Sequence, residues 1–196
     1  MMMATLPERL GLRRVVAAHE SELAPLRDGD IVFRGASTIL SFLARQFSPR
    51  DRTFSHCGIL AIEDGKPLVI HAASPDERRF SGRVFADGLT RFMGKSFVWG
   101  AFRLKGSWPQ QKRVADFARE KLRQNAPFDH AFSLDHDHGF YCSKLVWRAV
   151  YVASGIDVVP QKQSWWGHPY ISIDDLSLNT HLVRIAGTRV PPIVGV

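Results

Sequence analysis

Apolar and polar positions follow a period of two in some short stretches and helical spacing in others, which sets out a series of short elements. Asp28-Gly29-Asp30 reads as a turn opening into the apolar strand Ile31-Val32-Phe33, and Ser37 caps a helix carrying Ile39, Leu40, Phe42, Leu43 and Phe47. After the polar loop Ser48 to Thr53, two strand-like runs, Ser55 to Ile62 and Leu68 to Ala72, flank Glu63-Asp64-Gly65-Lys66. Asp64-Gly65 is a hairpin signal, because the tight turn needs positive φ at both central positions. Val98 to Leu104 predicts another strand. Ser107-Trp108-Pro109-Gln110 then has the form of a capping box with proline in the first turn, opening a helix that buries Val114, Phe117, Ala118 and Leu122. The last helix starts near Cys142, carries Leu145, Val146, Ala149, Val150 and Ala153, and ends at Gly155. His181 to Ile185 adds a strand, while Phe80 to Gly94 has no clear period. Strands in hairpins with helices grouped apart predict an α+β fold, its largely antiparallel sheet packed against helices.

Composition narrows this without redirecting it. A chain of 196 residues with 45% hydrophobic content supports one well-buried core. One domain is expected over 26–196, after an N-terminal extension at 1–25. No apolar run approaches the roughly 20 residues of a membrane span, and Met1 to Arg14 lacks the apolar block of a secretory signal, so cytoplasm is the default expectation. The two cysteines, Cys57 and Cys142, exclude a disulfide scaffold and fit two free thiols best. A formal charge of +7 attracts anionic surfaces. The basic residues (Arg13, Arg14, Arg50, Arg52, Arg78, Arg79, Lys112 and Arg113 among them) are scattered, however, with no interleaved aromatic ladder. No specific nucleic-acid partner is expected; peripheral contact with an anionic membrane stays open, and the oligomeric state is not fixed.

Candidate chemistry begins at Phe140-Tyr141-Cys142-Ser143-Lys144, where a cysteine meets the first turn of an amphipathic helix. Unpaired N–H groups and the helix dipole there favour the thiolate, the form in which cysteine is a nucleophile, and a backbone N–H could hold an oxyanion. The plainer reading of such a cysteine is a small buried hydrophobe. The hairpin supplies what would activate it. A two-residue Asp64-Gly65 turn sets Gly58 opposite His71, so His56 and His71 share a face as diagonal neighbours within about 8 Å. Two such histidines suggest a base and a partner that orients it.

At this point the sequence resembles the permuted papain-like amidases of the NlpC type, especially the YiiX-like branch, with the lecithin retinol acyltransferases more distant. Leu26-Arg27-Asp28-Gly29-Asp30-Ile31-Val32-Phe33 is similar to that family's first strand and Phe54-Ser55-His56-Cys57-Gly58-Ile59 to its base-bearing strand. Val69-Ile70-His71-Ala72 resembles the strand with the third polar residue, and Phe128-Asp129-His130-Ala131-Phe132 through Tyr141-Cys142-Ser143 the segment ending in the nucleophile. The resemblance runs from about Leu26 to Gly155 and implies a permuted papain-like fold, with the antiparallel sheet forming a partial barrel. It implies Cys142 as nucleophile, His56 as general base then acid, His71 as the group orienting His56, and Tyr141 lining the oxyanion site. The implied activity is that of a cysteine hydrolase or acyltransferase on peptide-like or lipid acyl substrates, with no cofactor and no metal. The pattern departs at Lys144, where the branch usually has Glu; a lysine there makes the neighbourhood more positive.

Three other constellations compete. Strand alternation turns Cys57 away from His56, which reads as a core position; a Cys57–Cys142 disulfide is the alternative. Asp135-His136-Asp137-His138, with His130, reads as a polar loop, against which stands a metal-dependent phosphoesterase site. Trp165-Trp166 with Tyr170 reads first as packing of the C-terminal segment on the core, and otherwise as a cover for the site or a seat for an apolar group. Phe80 to Gly94 is ambiguous, an insert that the same resemblance implies could form one wall of the cleft. A non-catalytic binding module using the basic surface is the alternative to an enzyme.

Overall fold

A computed structural model describes residues 25–36, 44–74, 82–94 and 96–188. Six strands make one antiparallel sheet in the order β4-β3-β2-β1-β5-β8. They are β1 (Ile31–Ala36), β2 (His56–Glu63), β3 (Lys66–Ala73), β4 (Arg83–Gly88), β5 (Ser96–Leu104) and β8 (Leu182–Gly187). Short β6 (Gln163–Trp165) and β7 (His168–Tyr170) form a separate hairpin. The helices are α1 (Leu89–Met93), α2 (Trp108–Arg123), α3 (Cys142–Ser154) and α4 (Ile173–Ser177). The α+β expectation therefore holds.

Strand alternation divides the core in two. Ile31, Phe33, Cys57, Ile59, Ile70 and Ala72 point to the side covered by α2 and α3, where they meet Val114, Ala118, Leu145, Val146 and Val150. Val32, Leu60 and Val69 point the other way, to Leu89, Phe92 and Met93 of α1 and to Trp99. Each large side chain so buried contributes roughly 1.5–3 kcal/mol of hydrophobic stabilisation.

The Asp64-Gly65 turn closes as its sequence predicts, with Glu63 paired to Lys66 and φ of 49° and 74° at its two residues. Helix α2 starts at the expected box, where the Ser107 N–H donates to Gln110 Oε1 at 2.8 Å. Helix α3 ends at Gly155 in the left-handed conformation. Most of the helix expected from Ser37, including Ile39, Leu40, Phe42 and Leu43, lies outside the described residues. Arg78, Arg79 and the start of the Phe80–Gly94 stretch do too. The rest of that stretch is edge strand β4 and helix α1, and none of its described residues lines the cavity described below. It supports the back of the sheet instead of walling a cleft. Among the described residues no helix is long and apolar enough to cross a membrane.

Candidate active site

Cys142 occupies the first position of α3, and no side chain caps that helix start, which leaves its leading N–H groups open to an anion. The pairing of Ile59 with Ile70 fixes the β2–β3 register, and the same register brings Gly58 opposite His71. A Cβ on Gly58 would lie 2.9 Å from the Cβ of His71 and 2.5 Å from a Val69 methyl, so the bare glycine leaves the room in which the histidine sits. His56 and His71 then meet edge to face, with His56 Nε2 2.8 Å from His71 Nδ1.

Behind them stands a residue that sequence reasoning missed. Asp87 of β4 places Oδ2 3.5 Å from His71 Nε2 and pairs with Arg91 at 3.2 Å. The contact to His71 is long, and no shorter one satisfies Nε2 among the described residues. A carboxylate there assigns the proton to His71 Nε2; Nδ1 then accepts from His56 Nε2–H, and His56 Nδ1 is left as the nitrogen free for Cys142. Burial pushes the His71 pKa down to about 3 against the opposing pull of Asp87, so the ring stays neutral. The Asp87 carboxyl is held below its ordinary range, first by the His71 ring that faces it. The one signal for Asp87 was its place in a stretch with no clear period.

The Cys142 sulfur lies beside the Cys57 thiol and the His56 ring, and both bear on its ionisation. Its pKa lies well below the ordinary thiol value, the bond from Cys57 contributing most, and His56 adding attraction and a further bond against the cost of burial. The Cys57 thiol moves the opposite way, raised by burial and by donating to Cys142. The core reading of Cys57 holds, since it is fully buried, but its placement away from the site is corrected. Alternation does put it on the other side of β2 from His56, but that is the side on which α3 packs, so the cysteine helix comes to Cys57. Both thiols are free.

Lys144 is also corrected. It is fully buried, and its Nζ lies 2.9 Å from Asp129 Oδ2 and 5.5 Å from the centre of the Phe140 ring. The ion pair neutralises the lysine, so the added positive field expected near the sulfur is cancelled at its source. Asp129 also accepts from the Ala131 N–H at 3.0 Å, which fastens the Phe128–Phe132 loop to the start of α3.

A cavity of about 510 Å³ opens over Cys142, His56 and Tyr141, a size typical of small-molecule sites. The Tyr141 hydroxyl accepts from the Ile171 N–H at 2.9 Å, and Ser143 Oγ donates to the Ile171 carbonyl at 2.8 Å. These bonds hold the far wall to the nucleophile's helix. Trp165 and Tyr170 join that wall, Trp165 against Phe47 with ring centres 4.8 Å apart. The pair Trp165 and Trp166 therefore does not pack on the core: they are 53% and 88% exposed. Arg34, paired across strands with His56, also lines the cavity, and among the described residues no carboxylate does. In the Asp135–His138 loop, His136 stacks on His138 and Asp137 pairs with Arg148.

The sequence profile of the permuted papain-like amidase enzymes, the YaeF/YiiX, C92 family, matches residues 25–165. The protein YiiX of Escherichia coli (strain K12) is 31% identical over 137 residues, 69% of this chain and 62% of YiiX, so the chain spans less than two thirds of that relative. The crystal structure of YiiX from Escherichia coli O157:H7, solved as a metalloprotein, superposes with a TM-score of 0.68 at 23% identity, covering 85% of this chain and 99% of that one. Among the described residues here, no three His, Cys, Asp or Glu side chains converge as metal ligands.

Proposed function

Because the chain belongs to the permuted papain-like amidase family, a family of cysteine hydrolases, we propose that it cleaves an acyl bond, amide, ester or thioester, through a thioester on Cys142. The observation that carries this reading is that Cys142 and His56 line one largely apolar cavity while His71, behind it, meets His56 at 2.8 Å.

His56 Nδ1 takes the Cys142 proton, and the thiolate attacks the carbonyl carbon. The oxygen becomes an oxyanion at the open start of α3, where the Cys142 N–H can donate and Tyr141 lines the site. The imidazolium returns its proton to the leaving amine, alcohol or thiol, which departs and leaves the thioester. Water, deprotonated by His56, then attacks the thioester, and the carboxylic acid leaves as Cys142 is restored. An amine or alcohol in place of water would make the same cycle an acyl transfer. His71 holds the His56 ring with its base nitrogen toward the sulfur, and neutral His71 is in turn held by Asp87. Phe128, Phe132, Trp165 and Tyr170 offer an apolar wall suited to an acyl chain, and among the described lining residues there is no carboxylate to meet a cationic side chain.

The test is intact-mass spectrometry of the protein mixed with nitrophenyl esters of increasing chain length. An adduct of acyl mass on the wild type, growing faster with longer chains and missing from Cys142→Ala, is the expected result. A chain-independent rate would reject the acyl preference, and an adduct that survives Cys142→Ala would reject the nucleophile.

A further inference from the structure

The β6–β7 hairpin turns at Trp166-Gly167, with φ of 51° and 82°, and so holds the Trp166 indole outward at its tip, 88% exposed. Behind the tip, Phe47, Phe132 and Trp165 are 38%, 46% and 53% exposed. Phe47 stands at the centre of this group, 4.8 Å from Trp165 and 6.4 Å from Phe132, and its carbonyl accepts from the Tyr170 hydroxyl at 3.2 Å. Phe47, Phe132 and Trp165 line the cavity over Cys142, and Trp166 follows Trp165 at the tip of the hairpin. An exposed aromatic patch of this kind at a substrate entrance is a docking surface rather than scattered surface apolarity.

Charge says what docks. Among the described residues the cavity lining holds Arg34 and the exposed His130 and His168 and no carboxylate. Asp174 and Asp175 are buried under Arg50, and Asp137 is taken by Arg148. The chain as a whole carries +7. We propose that this aromatic rim is the surface by which the protein sits on an anionic phospholipid bilayer, with the Trp166 indole at headgroup level and the cavity mouth facing the membrane. Tryptophan suits that layer, one end apolar and the other wet, and a basic protein adds attraction to the lipid charge. A rigid protein partner or a second copy seated on the same rim would close the opening it surrounds. A bilayer leaves it open and supplies an amphiphile directly to it. The proposal rests on the acyl reading above only for what the membrane delivers; binding itself is independent of turnover.

The experiment measures binding of the full chain to phosphatidylcholine vesicles with and without phosphatidylglycerol, by sedimentation and by the blue shift of tryptophan emission. It uses the wild type, Trp166→Asn and Trp166→Phe. Asn-Gly is the favoured pair for such a turn, so Trp166→Asn removes the indole while keeping the hairpin. The expected result is binding that needs the anionic lipid and weakens with salt. Trp166→Asn should lower it roughly tenfold or more, the worth of one buried aromatic side chain, and Trp166→Phe should keep most of it. Turnover of a soluble short-chain ester should be the same in all three, because Trp166 does not line the cavity. Absence of vesicle binding at low salt, or equal binding by Trp166→Asn, overturns the proposal. So does a Trp166-dependent dimer seen by sedimentation velocity, which would assign the rim to a second copy. Vesicle binding without any ester turnover would leave the docking surface standing and count against the acyl chemistry alone.

Discussion

Removing the Asp129 carboxylate should be among the costliest single changes in the molecule. Lys144 is fully buried and Asp129 nearly so, and they meet at 2.9 Å. In Asp129→Ala the ammonium keeps only the face of Phe140, 5.5 Å away, and the Ala131 N–H loses its acceptor. Leaving one charge of a buried pair uncompensated costs about 3–5 kcal/mol, a large part of the roughly 5–15 kcal/mol that holds a domain folded. For a chain of this size that lowers the melting temperature by roughly 6–20 °C. Urea unfolding followed by tryptophan fluorescence reads it directly, with the m-value checking that the transition stays two-state. Lys144→Met alone should also destabilise, by stranding the carboxylate. The double variant should cost clearly less than the sum, since it removes both charges from the same dry site. An Asp129→Ala cost below about 1 kcal/mol, or strict additivity in the cycle, would refute the claim that this pair is desolvated and mutually dependent.

Other consequences follow from the same geometry. Because folding lowers the His71 pKa from 6.5 to about 3, the unfolded chain binds the extra proton between those values. Native stability should therefore fall as pH drops from about 6.5 toward 3, by up to about 1.4 kcal/mol per pH unit from this group; urea titrations at pH 7 and pH 5 should show a smaller loss for His71→Gln, and an equal loss would contradict the buried neutral ring. Asp87→Ala removes the carboxylate that assigns the His71 proton. The rate of Cys142 acylation should drop roughly 10- to 100-fold with little change in fold, measured by adduct growth, and an unchanged rate would demote Asp87 to a surface partner of Arg91. Cys57→Ala removes the strongest bond to the Cys142 sulfur, so its alkylation profile should move to higher pH; a profile that stays put would mean that His56 alone sets the thiolate.

The parts of this site that rest on local rules were legible in the chain. Asp64-Gly65 fixes a two-residue turn, the turn fixes the register, and the register brings His56 to His71. The helical spacing from Leu145 to Ala153 likewise places Cys142 at a helix start. What stayed hidden depends on which surfaces meet. Alternation gives the side on which Cys57 lies but not the helix that covers that side. Lys144 and Asp129 are joined across a loop, so neither announces the other, and a lone lysine in a helix reads as solvated charge. Asp87 sits on a half-exposed edge strand whose residues carry no clean alternation, and its role exists only through His71. Trp165 and Trp166 look like core residues by composition, and only the two-residue turn at Trp166-Gly167 puts them outside.

The most direct test of the central claim is alkylation of Cys142 by iodoacetamide across pH, in the Cys57→Ser background, where a hydroxyl keeps a donor beside the sulfur, and with His56→Ala added. Rapid labelling that persists below pH 7 and is lost when His56 is removed is expected, the behaviour of a thiolate held by an imidazole and a helix start. Labelling that is slow in both proteins and rises only above about pH 8, as for a free thiol, would contradict it and leave the fold as a binding module.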